Sequence, residues 1–191
     1  MAAAPTHPSA SSAPESASSP AGGPPLVVLV MGVSGCGKTE VGRLVARDMG
    51  CGFLDADDFH PPENVERMRR GVPLDDAQRL PWLDRLAAVV DAAGRDGRRV
   101  VLACSALKRS YRERIGVGRP HVRLVHLDGP ESLIRERLER RTGHYMPPSL
   151  LASQCALLER PTADERAVTV DIAGTPEAIA RSITAALAGC R

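Results

Sequence analysis

The sequence predicts an α/β fold: a parallel sheet of five strands with helices packed on both faces. Short apolar runs rich in β-branched residues, helical-period segments between them, and a glycine-rich loop joining the first run to the first helix carry that prediction. A chain of 191 residues suits one domain, large enough to bury a core without disulfides or metals. Residues 1–25 read as a disordered tail and residues 26–191 as the folded domain.

The tail is built of Ala, Ser, Pro and Gly with hardly any charge, so it cannot bury enough surface to offset the entropy of ordering. It has no apolar segment and no arginine before Arg43, which argues against a secretory or mitochondrial leader. No later apolar run approaches the ~20 residues needed to span a bilayer. Leu26 to Met31 is a continuous β-branched run, the pattern of a strand covered on both faces. From Lys38 the period becomes helical, with Val41, Leu44, Val45 and Met49 on one face and Glu40, Arg43, Arg47 and Asp48 on the other, closing at Gly50. Further strands are expected over Gly52 to Leu54, Arg99 to Cys104, Val122 to Leu127 and Ala167 to Ile172. Helices are expected over Glu63 to Arg70, Asp76 to Ala93, Ala106 to Ile115, Pro130 to Arg141, Pro148 to Leu158 and Pro176 to Leu187. Asp55 to Pro81 is long and charged for a plain crossover and reads as a substrate-binding flap.

With 25 Lys and Arg against 23 Asp and Glu, the net charge of +2 argues against nucleic acid or a membrane surface as the main partner. The five cysteines are odd in number and lack paired zinc spacing, so reduced thiols in a cytoplasmic protein are expected.

The chemistry concentrates in four places. Gly32, Val33, Ser34, Gly35, Cys36, Gly37, Lys38 and Thr39 match G-x-x-x-x-G-K-[ST] between a strand and a helix. In that context backbone N–H groups and the helix N-terminus cradle phosphates, Lys38 reaches the β and γ phosphates, and the Thr39 hydroxyl serves Mg²⁺. Cys36 either fills a variable position or, beside a lysine at a helix start, is an oxidisable thiol. After the second strand, Asp55, Asp57, Asp58 and His60 stand at a strand's carboxyl end, where open α/β sheets bind ligands. Alternation along the strand end would point Asp55 and Asp57 the same way, one to serve the metal and one to accept a proton, or Asp57 or Asp58 could simply cap a following turn. Past the third strand, Lys108 and Arg112 are four apart; they read as an anion clamp or as a solvated basic face. Arg137, Arg140 and Arg141 lead into Gly143 and Pro147; they read as a closing lid whose Arg137 and Arg141 neutralise a transferring phosphoryl group, or as a salt-bridged surface helix.

Taken together these residues resemble the gluconokinase family of small P-loop kinases, which phosphorylate D-gluconate from ATP. The blocks that carry the resemblance run from Leu26 to Glu159: Met31 to Lys38; Asp55, Asp57, Asp58, His60, Pro61 and Asn64; Gly71, Pro73 and Leu74 leading to Arg79, Pro81, Trp82 and Leu83; Cys104 to Lys108 with Tyr111 and Arg112; and Gly143, His144 and Met146 to Pro148. The chain departs from the family pattern at Cys36, Thr39, Asp75 and Gln78, and only partly follows it from Ser153 to Glu159. The resemblance implies a P-loop kinase three-layer sandwich like that of adenylate and shikimate kinases, with a mobile lid. It also implies ATP and Mg²⁺ on the Gly32 to Thr39 loop, Asp55 near the metal, Asp57 as base, substrate contacts from His60, Arg79, Lys108 and Arg112, and a homodimer.

Overall fold

A computed structural model describes residues 24–140 and 150–189. Five strands, β1 (Leu26–Met31), β2 (Gly52–Asp55), β3 (Arg99–Ala103), β4 (Val122–Asp128) and β5 (Val168–Asp171), form one parallel sheet in the order β2-β3-β1-β4-β5. The helices are α1 (Lys38–Asp48), α2 (Pro62–Arg69), α3 (Asp76–Arg95), α4 (Arg109–Ile115), α5 (Glu131–Glu139), α6 (Leu150–Leu157) and α7 (Pro176–Gly189). The tail as far as residue 23 and the expected lid hinge, with Arg141 and His144, lie outside the described residues.

The alternation of side chains along β1 explains its unbroken apolar sequence. Val28 and Val30 enter a core with α1, α5 and α7, while Val27, Leu29 and Met31 enter another with α3 and α4. Both faces are therefore covered, and the three layers follow. Because β1 pairs with β3 on one side and β4 on the other, the chain diverges at its carboxyl end, and a crevice opens there.

Local sequence sets the element ends around that crevice. Gly35 sits at φ +88, and a Cβ there would lie 2.6 Å from Leu138 Cγ, so the loop can pass under α5 only as glycine. Helix α3 opens with a reciprocal cap: Gln78 N–H donates to the Asp75 carboxylate at 2.8 Å and Asp75 N–H donates to Gln78 Oε1 at 3.0 Å. The two residues that depart from the family pattern before Trp82 thus form a matched pair.

One expected boundary moves. The helix expected from Ala106 starts instead at Arg109, because Ala106 is in the left-handed region at φ 44 and Lys108 is extended at φ −91, ψ 148. Lys108 and Arg112 therefore do not share a helix face.

Candidate active site

The glycine-rich loop wraps the start of α1, whose first residues Lys38 and Thr39 follow a left-handed Gly37 at φ 100. Loop amides and the helix dipole thus face one polar cradle, lined by Gly35, Gly37, Lys38, Thr39, Asp55 and Asp57. Lys38 Nζ donates to the Val33 carbonyl at 3.1 Å, which holds the ammonium over the loop. Cys36 is 0% exposed and packed into the core beneath it, so the residue fills space and its thiol is shielded.

β2 ends at Asp55, and a 3₁₀ turn (Ala56–Phe59) follows at once. The Asp55 carboxylate accepts from Asp57 N–H at 3.1 Å with one oxygen and from Thr39 Oγ1 at 2.8 Å with the other. The turn is therefore capped by Asp55 rather than by Asp57 or Asp58, and the same carboxylate ties the turn to the loop. Asp57 lies within that turn rather than on a continuing strand, and it lines the same cradle as Asp55.

A second cleft opens beside the cradle, walled by Asp57, His60, Leu74, Arg79, Trp82 and Ser105, with Ser153 and Gln154 from α6. Trp82 builds its floor: Nε1 donates to the Ala56 carbonyl at 2.7 Å, and the indole stacks on His60 at 4.2 Å with 12° between the rings. Burial, and secondarily the charge of Arg79, lowers the His60 pKa to about 4, so the ring is neutral at physiological pH. Its Nδ1 is buried with no hydrogen-bond partner among the described residues. Arg79 is braced by the Leu74 carbonyl at 3.0 and 3.2 Å. Ser34, Lys38 and Asp57 line both cradle and cleft, which fixes where the two spaces meet.

Three expected residues stand elsewhere. Arg112, expected to hold substrate, is 0% exposed: it forms a bidentate pair with Glu165 at 2.5 and 2.8 Å and donates to the carbonyls of Ala106, Leu107 and Glu159. It is a structural cross-link, because the left-handed turn at Ala106 swings it inward. Lys108 turns the other way, bonding Asp76 at 2.8 and 2.9 Å beside Tyr111, which donates to the same carboxylate. It stands outside the cleft wall. Arg137 donates to the Ile172 carbonyl at 2.7 Å, joining α5 to the end of β5 rather than to either space. Conversely, Gln154 and Ser105 line the cleft although sequence reasoning gave neither a role; Ser105 lies in the family-like block Cys104 to Lys108 and Gln154 in the partly matching block from Ser153.

Comparison with known proteins agrees with this geometry. Residues 27–161 match the model of an AAA domain family. The thermosensitive gluconokinase of Escherichia coli is 45% identical over 145 residues, covering 75% of this chain and 78% of that protein. A sugar kinase from Janibacter, solved without ligand, superposes with a TM-score of 0.82 at 45% identity, covering 86% of this chain and 95% of its own. A gluconokinase from Sinorhizobium meliloti superposes with a TM-score of 0.78 at 42% identity over 87% of this chain and 93% of its own. These relatives are matched over most of their length, and the chain belongs to the gluconokinase family of P-loop kinases.

Proposed function

We propose that this protein transfers the γ-phosphoryl group of ATP to the 6-hydroxyl of D-gluconate, giving 6-phosphogluconate and ADP in the cytoplasm. The observation that carries the reading is that Lys38 and Asp57 line both the phosphate cradle and the neighbouring cleft. A donor phosphate and an acceptor hydroxyl can meet only at such a junction.

The roles follow from the chemistry of each side chain. Loop amides and Lys38 hold the phosphates and neutralise charge as the bond from γ-phosphorus to the ADP oxygen breaks. The 6-hydroxyl oxygen forms the new bond to phosphorus, and its proton passes to the Asp57 carboxylate. Arg79 supplies the positive charge that a sugar-acid carboxylate needs, and neutral His60 offers hydrogen bonding to hydroxyls without adding charge. Thr39 Oγ1 and Asp55, 2.8 Å apart, bring a hydroxyl and a carboxylate together at the cradle, a hard-oxygen donor set suited to Mg²⁺. Thr39 and Asp55 would hold Mg²⁺ there, and the positive charge it supplies would offset that of the phosphates.

An acceptor screen tests the proposal. With Mg²⁺ and ATP, ADP release should be strong on D-gluconate and weak on shikimate, glucose or AMP. Background release on gluconate alongside strong release on another acceptor would refute the substrate and leave the kinase class intact.

A further inference from the structure

Tyr111 stands one layer behind the acceptor cleft. It is not among the residues that line the cleft, but Arg79 is, and the guanidinium carbon of Arg79 lies over the Tyr111 ring, 5.7 Å from its centre. The ring itself is held on all sides. It is 4% exposed, packs in the core that contains Trp82 and Leu86, and donates its hydroxyl to the Asp76 carboxylate, which also accepts from Lys108 Nζ at 2.8 and 2.9 Å. Asp76 and Arg79 are three apart on α3, so the phenol is pinned by one turn of that helix and carries the guanidinium of the next.

Arg79 is gripped from a second side. Nε and Nη2 both donate to the Leu74 carbonyl, and Nη1 has no hydrogen-bond partner among the described residues. A guanidinium seated over an aromatic ring and bonded along one edge keeps a set orientation, and the donors it has left are those a carboxylate can take. The Asp76 side chain is 62% exposed, so its ion pair with Lys108 contributes little by itself. The ring is the part that bears on Arg79.

We infer that Tyr111 is a positioning residue for the acceptor: its π face holds the Arg79 guanidinium ready for the carboxylate of the substrate, while Asp76 and Lys108 anchor the ring. The inference rests on the gluconate reading above. An arginine ordered before the substrate arrives loses less side-chain freedom on binding, so the benefit falls on acceptor affinity rather than on the phosphoryl-transfer step. Lys108 then serves the anchor of the ring instead of meeting the substrate.

Fluorination tests the charge distribution of the ring with little change of shape. Tyr111→Phe keeps the ring and is the reference, and mono-, di- and trifluorinated phenylalanines at position 111 progressively strip the face of negative charge. The KM for D-gluconate should rise step by step along the series, reaching about 5–10-fold with the trifluorinated ring, and by a similar factor in Tyr111→Leu. Both kcat and the KM for ATP should stay within about twofold of the reference. Melting temperatures establish that each variant folds; where Tyr111→Leu does not, the fluorinated series decides by itself. A flat KM series overturns the inference. So does a parallel rise of both KM values with a falling melting temperature, which assigns Tyr111 to packing alone. If the wild type prefers another acidic acceptor, the series is measured on that acceptor. Turnover of neutral acceptors only, or of none, removes the inference together with the gluconate reading, whereas gluconate turnover with a flat series removes the inference alone.

Discussion

Replacing Arg112 with methionine distinguishes a structural arginine from a substrate-binding one. Arg112 is 0% exposed and Glu165 retains 4%, so neither charge can recover water when the other is removed. Breaking a buried pair on one side costs about 3–5 kcal/mol, mostly the penalty of the orphaned charge. Here the carbonyls of Ala106, Leu107 and Glu159 also lose their donor, which places the cost toward the upper end of that range. At about 2–4 °C per kcal/mol for a domain of this size, the melting temperature should fall by roughly 6–20 °C. Urea unfolding followed by circular dichroism would give the same loss at constant slope. The double variant Arg112→Met, Glu165→Met should be more stable than the single one, because no charge is then stranded. An unchanged melting temperature combined with a raised gluconate KM would refute the reasoning and restore Arg112 to the substrate site.

Two further outcomes follow from the geometry. Lys38→Ala should lower kcat about 10³-fold while moving the melting temperature by less than about 2 °C, since its recorded hydrogen bond is to a loop carbonyl; wild-type-like turnover would remove the phosphate role. For His60, burial and then Arg79 depress the pKa from 6.5 to about 4. Between those values the unfolded chain binds a proton that the folded one does not, so stability falls as pH falls through that window and levels off below it. His60→Phe should flatten that limb of the pH–stability curve measured by thermal melting, and an unchanged limb would assign it to another group.

The parts of this protein legible in its sequence are those whose physics is local. A buried parallel strand needs an apolar run, a phosphate loop needs glycines where the backbone turns inward, and both can be read within a dozen residues, as Leu26 to Thr39 shows. Asp57 was legible for the same reason, because it lies two residues past a strand's carboxyl end. Arg112 was not. Four-residue spacing to Lys108 implied a shared face only if the helix began at Ala106, and one left-handed residue sent the two side chains in opposite directions. Nor could its partner be found by spacing, since Glu165 is 53 residues away and approaches only when the chain returns past α6. Capping shows the intermediate case: Asp75 and Gln78 are three apart and match the reciprocal-cap pattern, yet they first registered as departures from a family.

Arg112 and Gln154 answer to the same topological fact. In the order β2-β3-β1-β4-β5, the loop after β1 and the connection after β3 lie side by side, while α6 enters from beyond β4. The segment after α6 packs on the β3–α4 connection before it reaches β5. The contact is where Glu159 bonds Leu107 and Arg112, and where Arg109 N–H donates to the Glu159 carboxylate at 2.7 Å. Fixing that contact sets the axial position of α6, and with it how far Gln154 reaches toward Ser34. A shift of one helical residue, about 1.5 Å, would take the 2.7 Å hydrogen bond from Ser34 N–H to Gln154 Oε1 out of range. A buried arginine that lines neither space thus fixes the segment that follows the helix contacting Ser34, and a milder substitution such as Arg112→Lys, which keeps the charge but loses the fork, should lower the melting temperature while leaving the KM for either substrate near wild type.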